Sequence, residues 1–251
     1  PFITPFAKML RNELNYELKV IVYPNALSTT WALVEGEVDL ALSPLITQLY
    51  AYSLTKALRV IGGGAYGGAA VMSNQKALSD DIASSELSTM DACRAVAIKE
   101  GISPAARTYY FTKPADEVVK LALEGRVRYL VVWHPLIEKL LGFGLKPIIE
   151  CKDLDISYCC TLAASARLER DLREKLSRTY VRALEEFMKS PKRWVEWYSA
   201  KVGIEVDVIE KGLKYYEFRP YLDRSLINKM LRRVGIEIPN LESLTNAIEI
   251  Y

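Results

Sequence analysis

Three kinds of residue in this chain stand where they can meet a ligand: polar groups at helix starts, aromatic rings at strand ends, and thiols. Asn25, Ser28 and Thr29 lie between an apolar run ending at Tyr23 and a helical stretch ending at Gly36. Helix starts leave backbone N–H groups unpaired, and such a site accepts a carboxylate, phosphate or sulfonate. Ser103 repeats the arrangement, with Pro104 in the first helical position and Gly101 allowing close approach. Ser43 closes a short apolar strand before Pro44, and Thr4, with Phe2, opens the chain. Trp133 and His134 end another apolar run, which puts an indole for stacking and an imidazole for hydrogen bonding at one strand end. Tyr66 sits inside a glycine run and is a further aromatic candidate. Gathered into one cleft, these groups suit a small anionic or planar organic molecule. Each also has an ordinary capping or packing role to fill.

Catalysis, metals and nucleotides find less support. The only histidine is His134, the cysteines are Cys93, Cys151 and the adjacent Cys159 and Cys160, and no CxxC spacing occurs. A zinc site needs three or four such ligands, and nucleophilic catalysis needs a base beside a thiol or hydroxyl. Consecutive strand positions send Cys159 and Cys160 to opposite faces. Gly62–Gly67 spells G-x-G-x-x-G after a strand, yet Ala69–Ser73 continues as an extended segment where a dinucleotide site requires a helix. A hinge or a close backbone crossing accounts for the glycines instead. No cofactor is expected.

The elements that must position these residues come from periodicity and punctuation. Ala32–Ile46 reads as a helix end, a glycine stop, a buried strand and a proline-marked loop, and Leu123–Ile137 repeats the phrase with Gly125 for Gly36. Two such units suggest two α/β lobes of related plan. Around them the sequence predicts a helix over 6–12 with Thr4 as its cap, strands over 18–23 and 57–61, a helix over 47–55 and a polar loop or weak helix over 80–91. It further predicts a strand over 94–98, helices over 105–111, 115–124 and 137–141, and strands over 129–133 and 146–149. The stretch 157–162 reads as an extended return crossing. Beyond Ala164 the pattern is helical: 167–189, 191–201, 206–216, 225–234 and 241–248, divided by glycines and prolines.

At 251 residues, half of them hydrophobic, the chain can bury one large core or two ordinary ones. Lys+Arg 33 against Asp+Glu 31 leaves +2 with no basic cluster, which argues against a nucleic-acid surface. No apolar run reaches the length of a membrane span.

The pattern resembles the type II periplasmic-binding-protein fold, in the branch that binds nitrate, sulfonates, taurine and thiamin-pyrimidine precursors. The resemblance rests on Gly36-Glu37-Val38-Asp39-Leu40-Ala41, similar to that branch's G-E-x-D-[IVL]-A strand. It rests equally on Gly125-Arg126-Val127-Arg128 with Trp133-His134-Pro135, similar to its G-x-[IV]-D-A-x-x-x-W-x-P strand. Arg128 stands where aspartate is usual, and His134 where glutamate is common. The resemblance implies two lobes, each a mostly parallel sheet flanked by helices, with a helical C-terminal tail. Lobe one would comprise 1–64 plus 164–251, lobe two 65–163, with the hinge near 62–68 and 157–162. It also implies a first strand ahead of Pro1. The function implied is that of a monomeric solute-binding protein closing on a small ligand for the membrane subunits of an ABC transporter, without chemistry. Such a protein is extracytoplasmic if a signal or lipoprotein leader precedes the chain, and cytoplasmic otherwise. An enzyme on the same fold, such as a lyase of the futalosine route to menaquinone, is the rival reading, with Ser43 positioning a carboxylate substrate. A ligand-sensing domain of a regulator is the third.

Overall fold

The structure is a computed structural model that describes residues 2–156, 158–235, 244, 246–249 and 251. Two sheets organise it. The first runs β1 (Leu40–Ser43), β8 (Tyr158–Ser165), β2 (Leu58–Gly67), β9 (Tyr216–Arg219), and the second runs β5 (Thr108–Tyr110), β4 (Ile82–Ser84), β6 (Tyr129–Trp133), β3 (Ala69–Ser73), β7 (Lys146–Glu150). We call them the sheets of the first and second lobes. The chain leaves the first through β2 and β3 and returns through β8. Both crossings are therefore strands, and they pair with each other antiparallel. Among the named strands the parallel pairings are those of β4 with its two neighbours, and every named pair in the first sheet is antiparallel, with one isolated parallel bridge from Val60 of β2 to Ile248.

Alternation along the strands sorts side chains into separate cores. In β6, Leu130 and Val132 face a core inside the second lobe with Met72 of β3, while Val131 faces the other way. That other face joins a larger core shared by both lobes, where Leu33, Leu45 and Leu49 meet Val71, Ile82 and Val96. Burying one such leucine contributes about 2 kcal/mol, so the lobes are joined by packing as well as by chain. A third core lies under α1 (Ile3–Leu14) and α7 (Arg170–Lys189), where Phe6 and Leu10 meet Tyr180, Leu184 and Phe187 at helical spacing.

Several expectations give way. Residues 15–23 form no strand, and Ile21 and Val22 are exposed, because no described strand lies beside them to complete a ladder. The 94–98 stretch belongs to α4 (Thr89–Lys99), β4 interrupts the supposed polar loop 80–91, and β5 replaces the helix expected over 105–111. Tyr216 begins a strand where α9 (Val206–Leu213) was expected to continue. Thr4 lies within α1, which starts at Ile3, and donates to the Trp194 carbonyl at 3.1 Å instead of capping the helix. Of the tail, α7 packs on α1 and β2, but α10 (Arg224–Val234) packs on α4 of the second lobe. Pro1, Ser157 and half of the helix expected over 241–248 (241–243 and 245) lie outside the described residues, and Ile248 at its end forms a bridge with Val60 instead.

The glycine run is a crossing. A Cβ on Gly63 would lie 2.0 Å from the Arg219 carbonyl oxygen, and one on Gly64 would lie 2.1 Å from that of Cys160. Only bare backbone fits between β8 and β9 there. A disulfide joins Cys93 of α4 to Cys151, which opens the turn before β8.

Candidate functional site

In the first lobe, α2 (Ala26–Glu35) and α3 (Leu45–Thr55) start at the carboxyl end of β1. Asn25 caps α2: its Oδ1 accepts from the Ser28 N–H at 2.8 Å, and the Ser28 and Thr29 hydroxyls donate back to the Asn25 carbonyl. The sequence reading of these three residues as one helix start holds. Gly36, at φ +83°, ends α2 and turns the chain into β1, so α2 and β1 run in opposite directions.

In the second lobe, parallel pairing aligns the carboxyl ends of β4, β5 and β6. The helix start delivered there is that of α4, which sequence reasoning missed. Ser88 caps it, accepting from the Asp91 N–H at 3.3 Å, while an Asp91 carboxylate oxygen accepts from the Leu87 N–H at 3.1 Å. This is a reciprocal cap, and its S-x-x-D spacing was readable in the sequence. Ser84, Ser85, Ser88 and Thr89 around it are buried, and the Ser84 hydroxyl has no partner among the described residues.

The two groups of helix starts meet. Thr47, in the first turn of α3, donates to the Leu87 carbonyl at 2.5 Å, and the Asn25 side-chain amide donates to the Thr112 carbonyl at 3.0 Å. Both bonds cross between lobes at strand carboxyl ends, the place where open α/β sheets take ligands.

The other expected residues are placed differently. Ser43 is engaged inside the first lobe, where its hydroxyl accepts from Thr30 at 2.8 Å and Gln48 at 3.1 Å. Gln48 also bonds the carbonyl and hydroxyl of Thr161. Gly101 and Ser103 follow the last turn of α4, and Ser103 N–H donates to the Ala97 carbonyl. An 11-residue helix puts them roughly 16 Å from the Ser88 end. Tyr66 faces the α10 side, with the Arg219 guanidinium 3.7 Å over its ring and Tyr158 edge-on to it.

Trp133, half-buried, ends β6 between the two cores that share the second lobe. His134 is buried among partners of its own. Its Nδ1 lies 2.6 Å from Glu138, and its ring stacks on Tyr215 at 3.8 Å. Its carbonyl accepts from the Tyr216 hydroxyl at 2.8 Å. Burial pushes the imidazole below its ordinary pKa, further than the Glu138 carboxylate raises it. The histidine thus ties β6 to the segment entering β9.

A groove of about 530 Å³ opens elsewhere, at the C-terminal ends of α4 and α10, lined by Lys99, Glu100, Asp155, Lys229, Arg232 and Arg233 among others. Lys229 pairs with Asp155 at 2.8 Å and Arg233 with Glu100 at 2.7 Å. Cations belong at helix C-termini, so this groove reads as a solvated charged rim. Among the described residues no group of three or more His, Cys, Asp or Glu side chains is placed to hold a metal ion.

With this geometry in hand, solved structures give a direct comparison. The alkanesulfonate-binding protein SsuA from Xanthomonas axonopodis pv. citri, bound to MOPS, matches 100% of this chain and 93% of its own at TM-score 0.77 and 13% identity. The fold is that of the periplasmic binding proteins. A zinc-bound ligand-binding component of an ABC-type import system from Staphylococcus aureus shares this fold at TM-score 0.76 and 18% identity, over 93% of this chain and 86% of its own. So does a conserved Candida albicans gene product described as having the generic periplasmic binding protein fold, at TM-score 0.70 and 13% identity, over 99% and 92% of the two chains. No family model matches the sequence, and no curated protein matches it either.

Proposed function

We propose that this chain is a solute-binding protein that closes its two lobes over a small anionic organic molecule and delivers it to an ABC-type importer outside the cytoplasm. The observation that carries the reading is the meeting of helix starts across the lobes, through Thr47–Leu87 and Asn25–Thr112. Partial positive charge from α2, α3 and α4 converges there, and an anion gains from each. Contacts from both lobes give a ligand higher affinity for the closed form, which is what drives closure. Sulfonates are the first class to try, since SsuA is described as binding them.

A thermal-shift screen against sulfonates, nitrate, pyrimidines and dicarboxylates tests the proposal. A ligand at a hundred times its dissociation constant adds about 2.7 kcal/mol of stability. Titration calorimetry should then show at least tenfold weaker binding for Asn25→Ala, Ser88→Ala and Trp133→Ala. Wild-type affinity in all three would remove the site from this cleft. Failure of every anion to stabilise the protein would remove the ligand class.

A further inference from the structure

Beyond β9 the chain leaves the first lobe and comes back to it. β9 pairs with β2, and residues 247–249 return to that same strand. There the Val60 N–H donates to the Ala247 carbonyl at 2.7 Å, and the Glu249 N–H donates to the Val60 carbonyl at 3.0 Å. The Glu249 carboxylate holds Arg173 through two bonds of 2.8 and 2.9 Å, and Arg59 at 3.3 Å. Both ends of the excursion are therefore fixed in the first lobe. α10 lies between them, yet it packs on α4 of the second.

The helix is seated on both its faces. Ile227, Met230 and Leu231 recur at helical spacing and are buried in the core that holds Met90, Val96 and Ala97 of α4. On the polar side, Arg233 meets Glu100 just after α4, and Lys229 meets Asp155 in the turn before β8. At its start, Asp223 accepts from the Ser225 and Leu226 N–H groups, and its own N–H donates to the Tyr158 hydroxyl of β8 at 3.0 Å. An 11-residue helix spans about 16 Å. Along that length α10 is bolted to the second lobe and the return crossing, while its tethers run to the first. If the lobes part, either α10 slides off α4 or its tethers are drawn out.

We propose that α10 is a strap that holds the two lobes together before a ligand arrives and limits how far they part. The proposal rests on the reading that the lobes move, and not on which ligand they take. Exposed ion pairs contribute little alone, so the buried face supplies the hold and the pairs fix where along α4 the helix sits. A protein kept near its closed form loses less affinity to populating that form.

The test is Lys229→Glu/Arg233→Glu, which sets each position against a carboxylate and leaves the buried face and the anion site unchanged. Fluorophores on non-natural residues at the exposed positions Lys19, in the first lobe, and Lys139, in the second, read the lobe separation one molecule at a time without ligand. The expected result is a single population in the parent and a second, parted one in the variant, with α10 amides exchanging about tenfold faster. The same charge change at Lys120→Glu/Arg126→Glu, around Glu124, should part nothing. Cooperative thermal unfolding confirms that each variant is folded. No parted population in the α10 variant would overturn the strap, as would equal parting in the control or in the parent. Asn25→Ala/Thr47→Ala cuts the bonds at the other end of the interface and separates the two levels. Parting there but not in the α10 variant removes the strap and leaves the moving lobes; parting in neither removes both.

Discussion

The two helix–glycine–strand units, 26–43 and 114–133, share a local plan and part company at the sheet. In both, a glycine at positive φ ends the helix, Gly36 at +83° and Gly125 at +63°. In the first, β1 is the outermost strand and pairs only with β8. In the second, β6 lies between parallel β4 and antiparallel β3 at the centre of its sheet. The strand ends differ in kind as well. Ser43 closes into a network of neutral hydroxyls and an amide within its own lobe, while His134 reaches to the tail segment that precedes β9. Local sequence encodes the junction, and long-range partners decide what the junction is used for.

Four measurements break or sharpen that comparison. The largest effect belongs to neither unit but to the crossing that joins them. Gly64→Val should cost about 4 kcal/mol or abolish folding, since its side chain meets the Cys160 backbone. A urea midpoint near wild type would mean that the crossing has room. Next is the strand-end network of the first lobe. Gln48→Leu takes the amide away from the Thr161 hydroxyl, the Ser43 hydroxyl and two carbonyls, leaving the Thr161 hydroxyl only its 3.5 Å bond to the Ser43 carbonyl, and should cost about 2 kcal/mol. A loss under about 0.5 kcal/mol would show that the network adds nothing.

The shared junction itself is tested by Gly36→Ala and Gly125→Ala. Each should cost about 1–2 kcal/mol, the strain of placing a Cβ in the left-handed region. At Gly36 the Arg167 side chain must withdraw from its bond to the Glu35 carbonyl, and at Gly125 the Lys76 carbonyl oxygen, 3.2 Å from the added Cβ, must give slightly, so the two losses should agree to within about 1 kcal/mol. Unequal losses would separate the two units at the point where they look most alike. The smallest effect is electrostatic and belongs to His134, faced by Glu138 on the helix that follows its turn, by Glu150 and Lys214, and by the rings of Tyr215 and Tyr216. Its folded pKa is lowered below 6.5, so between that value and the folded one the unfolded chain binds more protons. Stability should fall as pH drops through 6.5 toward the folded value, and His134→Phe should remove this part of the slope. Parallel pH profiles for the two proteins would refute it.

Much of this was legible in the residues. Gly36 and Gly125 marked helix ends correctly, YLVVW was read as a buried strand, and Asn25, Ser28 and Thr29 as one helix start, because each depends on neighbours within a few positions. What stayed hidden depends on distant chain. RAVAI is strand-like alone and helical once Ser88 and Asp91 cap it. LKVIVY is apolar like a buried strand but finds no strand beside it among the described residues. TYY followed a serine–proline pair that promises a helix, yet β4 recruited it into a sheet. Cys159 and Cys160 were assigned opposite faces, yet Ala65 pairs with Cys160 and Tyr66 with Tyr158, and the bulge left at Cys159 brings the two sulfurs to 3.9 Å. A bulge is a property of two strands and cannot be read from one. Gly101 and Ser103 were placed with the helix starts because the helix before them had been read as a strand.

The disulfide between α4 and the turn ahead of β8 has a mechanical consequence. It closes a loop with a sequence separation of 58 residues, and a loop of that size restricts the unfolded chain by about 4 kcal/mol. In the folded protein the same bond is a leash. The helix whose first turn faces the opposite lobe is tethered, part-way along, to the segment that feeds the return strand, and Thr89 grips that strand a second time. A pull on the Ser88 end of α4 is therefore passed along two links to the start of β8, so the helix start and the return strand are held as one mechanical unit.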